Sequence, residues 1–149
     1  MADKLQFELV SPEKLLLAEQ VGMVIVPGSE GNFGVLPGHA LFISTVRPGI
    51  IDVYEDKTVT EHIFVAGGFA EVTPERCTVL ADEAVPLASL DRSAIEAQAK
   101  TLESNIAALR DQLPRLSGAE RDDAARQLRA AERQLAVAAA KLAALATVH

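Results

Sequence analysis

Pro27-Gly28-Ser29-Glu30-Gly31-Asn32-Phe33-Gly34-Val35-Leu36-Pro37-Gly38-His39-Ala40 holds four glycines and two prolines in fourteen positions, directly after the apolar run Val24-Ile25-Val26. Glycine reaches positive φ and admits close backbone approach, and proline fixes φ and removes a donor. So many breakers inside an apolar chain predict two sharp turns. The pattern gives a strand ending at Val26, a tight loop over 28–31, a short extended piece from Phe33 to Leu36, and a second loop at 37–39. The strands on either side must then pair around the stretch.

Outward from it, the period of two continues. Leu5-Gln6-Phe7-Glu8-Leu9 alternates apolar and polar, as a strand with one buried face does, and Ser11-Pro12 ends it. Leu15 to Gln20 and Val21 to Val26 read as the next strands. Leu41 to Val46 is extended, Pro48-Gly49 turns the chain, and Ile50–Tyr54 faces Thr58–Val65 across Glu55-Asp56-Lys57, a hairpin signal. Gly67-Gly68 predicts a bulge or a close backbone approach. Phe69–Val72, a turn at Thr73-Pro74-Glu75, and Cys77–Ala81 complete a run of short, evenly spaced strands. That spacing predicts an all-β sandwich or barrel.

At Pro86-Leu87-Ala88-Ser89 the composition changes. From Asp91 onward there is one proline and one glycine, and alanine dominates the last third. Ile95, Ala99, Leu102, Ile106, Leu109 and Leu113 are spaced four and three in turn, a helix with a narrow apolar seam. Asp91 or Ser89 can cap its start and Pro114 ends it. Ser117-Gly118-Ala119-Glu120 has the spacing of a capping box and opens a second helix, seamed by Ala124, Leu128, Ala131, Leu135, Ala138, Leu142 and Leu145. The prediction is therefore two domains: a β-sandwich over 1–86, and a C-terminal hairpin of two antiparallel helices over 87–149. Three of the seven positions in the second seam are alanine, which buries little area, so that helix is predicted to be only lightly held.

A net charge of −7 argues against a nucleic-acid partner, because phosphates attract basic surfaces. The acidity sits in residues 1–86, with five Lys/Arg against thirteen Asp/Glu, while residues 87–149 hold nine against eight. Two modules with different partners are expected. The single cysteine, Cys77, lies in a strand and reads as a buried structural thiol. No segment has the ~18 consecutive apolar residues of a membrane span, and Met1 to Lys4 lacks a signal peptide's apolar core, so a soluble intracellular chain is expected.

Catalytic constellations are missing. His39, His62 and His149 have no metal-ligand spacing, and no serine sits in a nucleophile elbow. The glycine-rich stretch lacks the Lys-Ser or Lys-Thr and the following helix of a phosphate cradle. No enzyme activity, cofactor or metal is expected. Arg126, Arg129 and Arg133 form one basic stripe on the second helix, with Arg121 and Lys141 near its ends. The plain reading is a solvated face with pairs such as Asp122–Arg126 and Arg129–Glu132.

Three features together carry a family resemblance: GSEGNFGVLPGHA with Thr45-Val46-Arg47-Pro48-Gly49, the motif Ala66-Gly67-Gly68-Phe69-Ala70-Glu71-Val72, and the helical tail. The chain resembles the epsilon subunit of the bacterial F-type (rotary) ATP synthase over nearly its whole length. The resemblance implies a rotor subunit that couples the gamma subunit to the c-subunit ring, without spanning the membrane, on the cytoplasmic face of the inner membrane. It implies that Glu30, Gly31 and Asn32 face the c ring and that His39 lies near gamma. It implies that the hairpin can extend toward the catalytic alpha and beta subunits and restrain ATP hydrolysis, with Arg126, Arg129 and Arg133 meeting acidic groups of beta. Some family members bind ATP through a Leu/Ile-Asp-x-x-Arg-Ala pattern. Here Leu90-Asp91 match but Ala94 holds the arginine position, which leaves Asp91 and Arg126 and argues against tight ATP binding. The residues alone also allow a different class of protein, a free-standing β-sandwich adaptor that dimerises through its hairpin.

Overall fold

The computed structural model describes residues 4–147, and the chain divides between Ser89 and Leu90 into two units. In the first, ten strands follow in order: β1 (Leu5–Val10), β2 (Leu15–Val21), β3 (Met23–Gly28), β4 (Gly31–Val35), β5 (Phe42–Val46), β6 (Gly49–Glu55), β7 (Thr58–Val65), β8 (Gly68–Val72), β9 (Arg76–Ala81) and β10 (Ala84–Pro86). A 3₁₀ turn, Leu87–Ser89, closes the unit.

The strands form two layers. One is ordered β10-β7-β6-β3, with β4 on the other edge of β3; the second is ordered β5-β8-β9-β1-β2. A single backbone pair, Gly28 with Val46, joins them at one side. Among the described residues the opposite side, between edge strand β2 and the first layer, has no ladder, so the sandwich is a flattened barrel closed on one seam only. All pairings are antiparallel except β1 with β9, where Phe7 lies beside Cys77.

The alternation read in the sequence sets the interior. Leu5, Phe7 and Leu9 of β1 are buried and pack with Val24 and Val26 of β3, Ile51 and Val53 of β6, and Cys77 and Val79 of β9. Burying an aliphatic side chain of this size contributes about 1.5–3 kcal/mol, so an interior without tryptophan is compensated by numbers. The predicted hairpin turn between β6 and β7 is present, with Asp56 at φ 56°. Gly67 and Gly68 make a close approach: a Cβ on Gly68 would lie 1.9 Å from the Leu80 carbonyl oxygen.

In the second unit α1 (Arg92–Gln112) and α2 (Gly118–Thr147) pair through a seam of Leu102 and Ile106 against Leu128, Ala131 and Leu135. Asp91, not Ser89, caps α1, accepting from the amides of Ser93 (3.1 Å) and Ala94 (3.4 Å). A 3₁₀ turn over Leu113–Arg115 carries Pro114 and ends the first helix. The expected capping box does not form. Gly118 begins α2 at φ 63°, outside the helical region, and that left-handed residue turns the chain into the helix in place of a Ser117 cap.

Candidate functional site

The glycine-rich stretch becomes the β3–β4 hairpin, with Gly28 paired to Gly31 across the turn residues Ser29 and Glu30. Gly31 sits at φ 137° with open space where a Cβ would stand, so glycine is required there by backbone conformation and not by crowding. Glu30, Gly31 and Asn32 are all exposed at the tip. The hairpin is fastened to β5 by the segment that follows it. The Ser29 amide donates to the Thr45 carbonyl (3.0 Å), and the Arg47 amide donates to that of Pro27 (2.9 Å). The Arg47 guanidinium then reaches back, donating to the Gly28 carbonyl and to Asn32 Oδ1 (2.7 Å). An open groove of about 570 Å³ runs between residues 29–33 and 42–45.

Arg47 escaped the sequence reading because its partners lie 19 and 15 residues away, with no local period to link them. It ties the side chain of Asn32, as well as the backbone of Gly28, into the tip. Asn32 is held by a charge-assisted hydrogen bond, so its side chain belongs to the architecture of the tip.

His39 lies in the second loop, half-buried. Its Nδ1–H donates to the Ala40 carbonyl (2.7 Å), and its ring centre is 6.3 Å from that of Phe42. The loop is tied down by the Gly38 amide, which donates to the Pro74 carbonyl (2.7 Å). Phe42 in turn meets Phe33 of β4 edge to face at 5.2 Å. His39 and the hairpin tip are thus linked through Phe42 and Phe33.

An apolar row crosses the outer face of the second layer. Phe69 of β8 pairs with Leu80 of β9, Leu80 with Val10 of β1, and Val10 with Leu15 of β2. Phe69 is 56% exposed, Leu80 44% and Leu15 57%, with Ile43 of β5 at 72% on the same face. The signal was present in the sequence. In β9 the buried residues are Cys77, Val79 and Ala81, so Leu80 places a large apolar group where the alternation reserves a polar one.

On α2, Arg126, Arg129 and Arg133 are exposed. The local pairs expected for them do not form. Arg126 meets Asp123 (3.4 Å), not Asp122, and Glu132 is drawn to Arg110 of α1 (2.9 Å). An ion pair across the hairpin thus takes the carboxylate that Arg129 would have used, and among the described residues no ion pair holds Arg129 or Arg133. Asp91 and Arg126 are not brought together either. The Arg110–Glu132 contact fixes the antiparallel register, which puts Arg126 beside the end of α1 while Asp91 caps its start. The 21 residues of α1 separate them by roughly 30 Å at ~1.5 Å per residue. Among the described residues, no three His, Cys, Asp or Glu side chains are placed to hold a metal ion, and no helix is long and apolar enough to cross a membrane.

A family model described as the beta-sandwich domain of the ATP synthase delta/epsilon chain matches residues 4–87. A chain from Rhodospirillum centenum named ATP synthase epsilon chain is 64% identical over 111 residues, covering 71% of this chain and 76% of its own. One of the same name from Parvibaculum lavamentivorans is 48% identical over 129 residues, covering 87% of this chain and 98% of its own. Among solved structures, a chain of the Euglena gracilis mitochondrial ATP synthase (OSCP/F1/c-ring, rotational state 1) superimposes with a TM-score of 0.65 at 28% identity. That match covers 95% of this chain and 81% of the other.

Proposed function

We propose, from the premise that this chain belongs to the delta/epsilon family of ATP synthase subunits and is an epsilon chain of the F-type enzyme, that it couples the gamma subunit to the c-subunit ring of the rotor. The observation that carries this is the outer apolar row Phe69–Leu80–Val10–Leu15 with Ile43. A continuous exposed apolar surface on a soluble-type sandwich marks a place where another protein docks. Gamma is the partner assigned to it, with His39 at its border. The exposed hairpin tip at Glu30, Gly31 and Asn32 is assigned to the c ring. In this reading the subunit supplies no catalytic group and works at the cytoplasmic face of the membrane as a peripheral part of the complex.

Affinity capture from membranes, washed at low and high salt, tests the coupling role. Gamma and the catalytic subunits should be recovered with the chain, and Phe69→Glu with Leu80→Glu should lose gamma while the sandwich stays folded by circular dichroism. Recovery of the chain with only itself, or undiminished gamma with the double variant, refutes the assignment. The first outcome would favour the dimeric adaptor.

The braking role is assigned to the exposed Arg126, Arg129 and Arg133. In a water-excluded contact with carboxylates such charges are worth more than the ~0–1 kcal/mol of exposed pairs. Changing all three to alanine should raise ATP hydrolysis by the assembled enzyme and leave synthesis nearly unchanged; hydrolysis that stays at the wild-type rate removes the brake from this stripe. Tight ATP binding by the isolated chain is not part of the proposal, because Asp91 is engaged as a helix cap far from Arg126. A micromolar constant by calorimetry would overturn that.

A further inference from the structure

Two glutamates face inward where the sandwich has no ladder to close it. Glu19 of β2 pairs in register with Phe7, and Glu61 of β7 with Val53, both of them interior residues. β2 is the free edge of the second layer, and β7 belongs to the first. The two carboxyls approach each other across this open seam, within range of a side-chain hydrogen bond. Glu61 Oε2 is shut off from solvent and lacks a hydrogen-bond partner among the described residues. Two carboxylates are acceptors only, so the bond requires a proton between them. We propose that Glu19 and Glu61 form a proton-sharing latch that fastens the open seam of the sandwich and lets go when the shared proton is lost.

The groups on the neighbouring elements leave the pair to itself. Lys4, preceding β1, is bound to Glu55 of β6. Glu8 of β1 points to the outer face, where it meets Arg76 and Thr78. Asp52 of β6 and His62 of β7 bind one another at 2.7 Å on the outer side of their layer. Among the described residues no cation pairs with either carboxylate, which leaves a proton to join them. The Glu19 carboxyl is accordingly raised from 4.5 to about 7, first by the hydrogen bond to Glu61, then by desolvation and by the Glu61 charge. The sign follows from linkage. Between pH 4.5 and about 7 the folded chain holds a proton that the unfolded chain has released, so stability from the latch is full below that window and is lost as pH rises through it. At pH 5 and 8 the sandwich therefore differs in how firmly its seam is held.

The test uses the full chain labelled with ¹³C at the glutamate side chains. The Glu19 carboxyl resonance should titrate with a midpoint near 7. Titration of Glu19 in the ordinary carboxylate range overturns the proposal. Glu61→Gln replaces the shared proton by an amide donor. Denaturant unfolding of the wild-type chain should lose up to about tenfold in the folded-to-unfolded ratio per pH unit across the window through this pair, and the variant should not. A variant with the wild-type pH slope overturns the latch. If Glu61→Gln does not fold, the wild-type titration decides alone.

Discussion

Gly68→Ala is the most demanding test of how the second layer is put together. Gly68 opens β8, pairs with Val46 on one side and Ala81 on the other, and stands at φ 141°, a conformation that L side chains rarely adopt. Holding alanine there costs about 1–3 kcal/mol. The methyl would also meet the Leu80 oxygen at 1.9 Å and the Leu80 carbonyl carbon at 2.9 Å. These are backbone atoms of the adjacent strand, so they cannot swing aside as the end of a flexible side chain could. The strands must part locally, at a cost comparable to overpacking a core, about 1–3 kcal/mol. The sum, about 2–6 kcal/mol, is a large fraction of the ~5–15 kcal/mol that holds a domain folded. Gly31→Ala is the control: its φ is similarly positive, at 137°, but nothing lies within 4 Å of the new methyl, so only the conformational cost applies. Urea unfolding of the two variants should show both destabilised, Gly68→Ala by the larger amount, with unchanged dependence on denaturant. Equal midpoints would refute the claim that the β8–β9 approach is what demands glycine at 68.

Other consequences follow from single contacts. The Cys77 thiol, buried in the core and pushed by desolvation up to about 12, should react with an aromatic disulfide reagent only as fast as the sandwich opens; rapid labelling under native conditions would contradict its placement. Arg47→Met removes both guanidinium bonds to the β3–β4 hairpin and should cost about 1–3 kcal/mol, with faster hydrogen exchange at the tip, and Asn32→Ser should show part of that effect. A chain ending at residue 89 should unfold cooperatively as an all-β domain and be more stable than one ending at 86, because Leu87 is buried. Identical melting of the two would mean the closing 3₁₀ turn adds nothing.

The fold was legible where its signals are local. Period-two alternation placed the strands, the Gly28–Gly31 breakers placed the hairpin, and the three-four spacing of Ile95 to Leu113 placed α1. Pairing between distant segments was not legible. Nothing in Leu5 to Leu9 says that its neighbour is Cys77 to Leu80, although Glu8 and Thr78 touch across seventy residues. The same limit hid Arg47 on Asn32 and Glu61 against Glu19. The errors in the helical unit have separate causes: Gly118 enters α2 left-handed and displaces the cap, and Arg110 of α1 takes Glu132 across the hairpin from Arg129.

The candidate surface was half legible for a different reason. Glycines and arginines announce themselves by type, so 28–31 and the stripe at 126, 129 and 133 stood out. The apolar row did not, because valine, leucine and phenylalanine in a strand are first read as interior. Only the register exposes the excess: with Val79 and Ala81 buried, Leu80 cannot be, and its partners Phe69 and Val10 share its fate. In the hairpin the same argument runs in reverse. Ala131 is buried against Leu102 and Ile106, so α2 comes close to α1, but an alanine brings little area to that contact. The residue with the highest helix propensity thus occupies the positions that hold the helices together. The consequence is a helix stable in itself and weakly fixed to its neighbour.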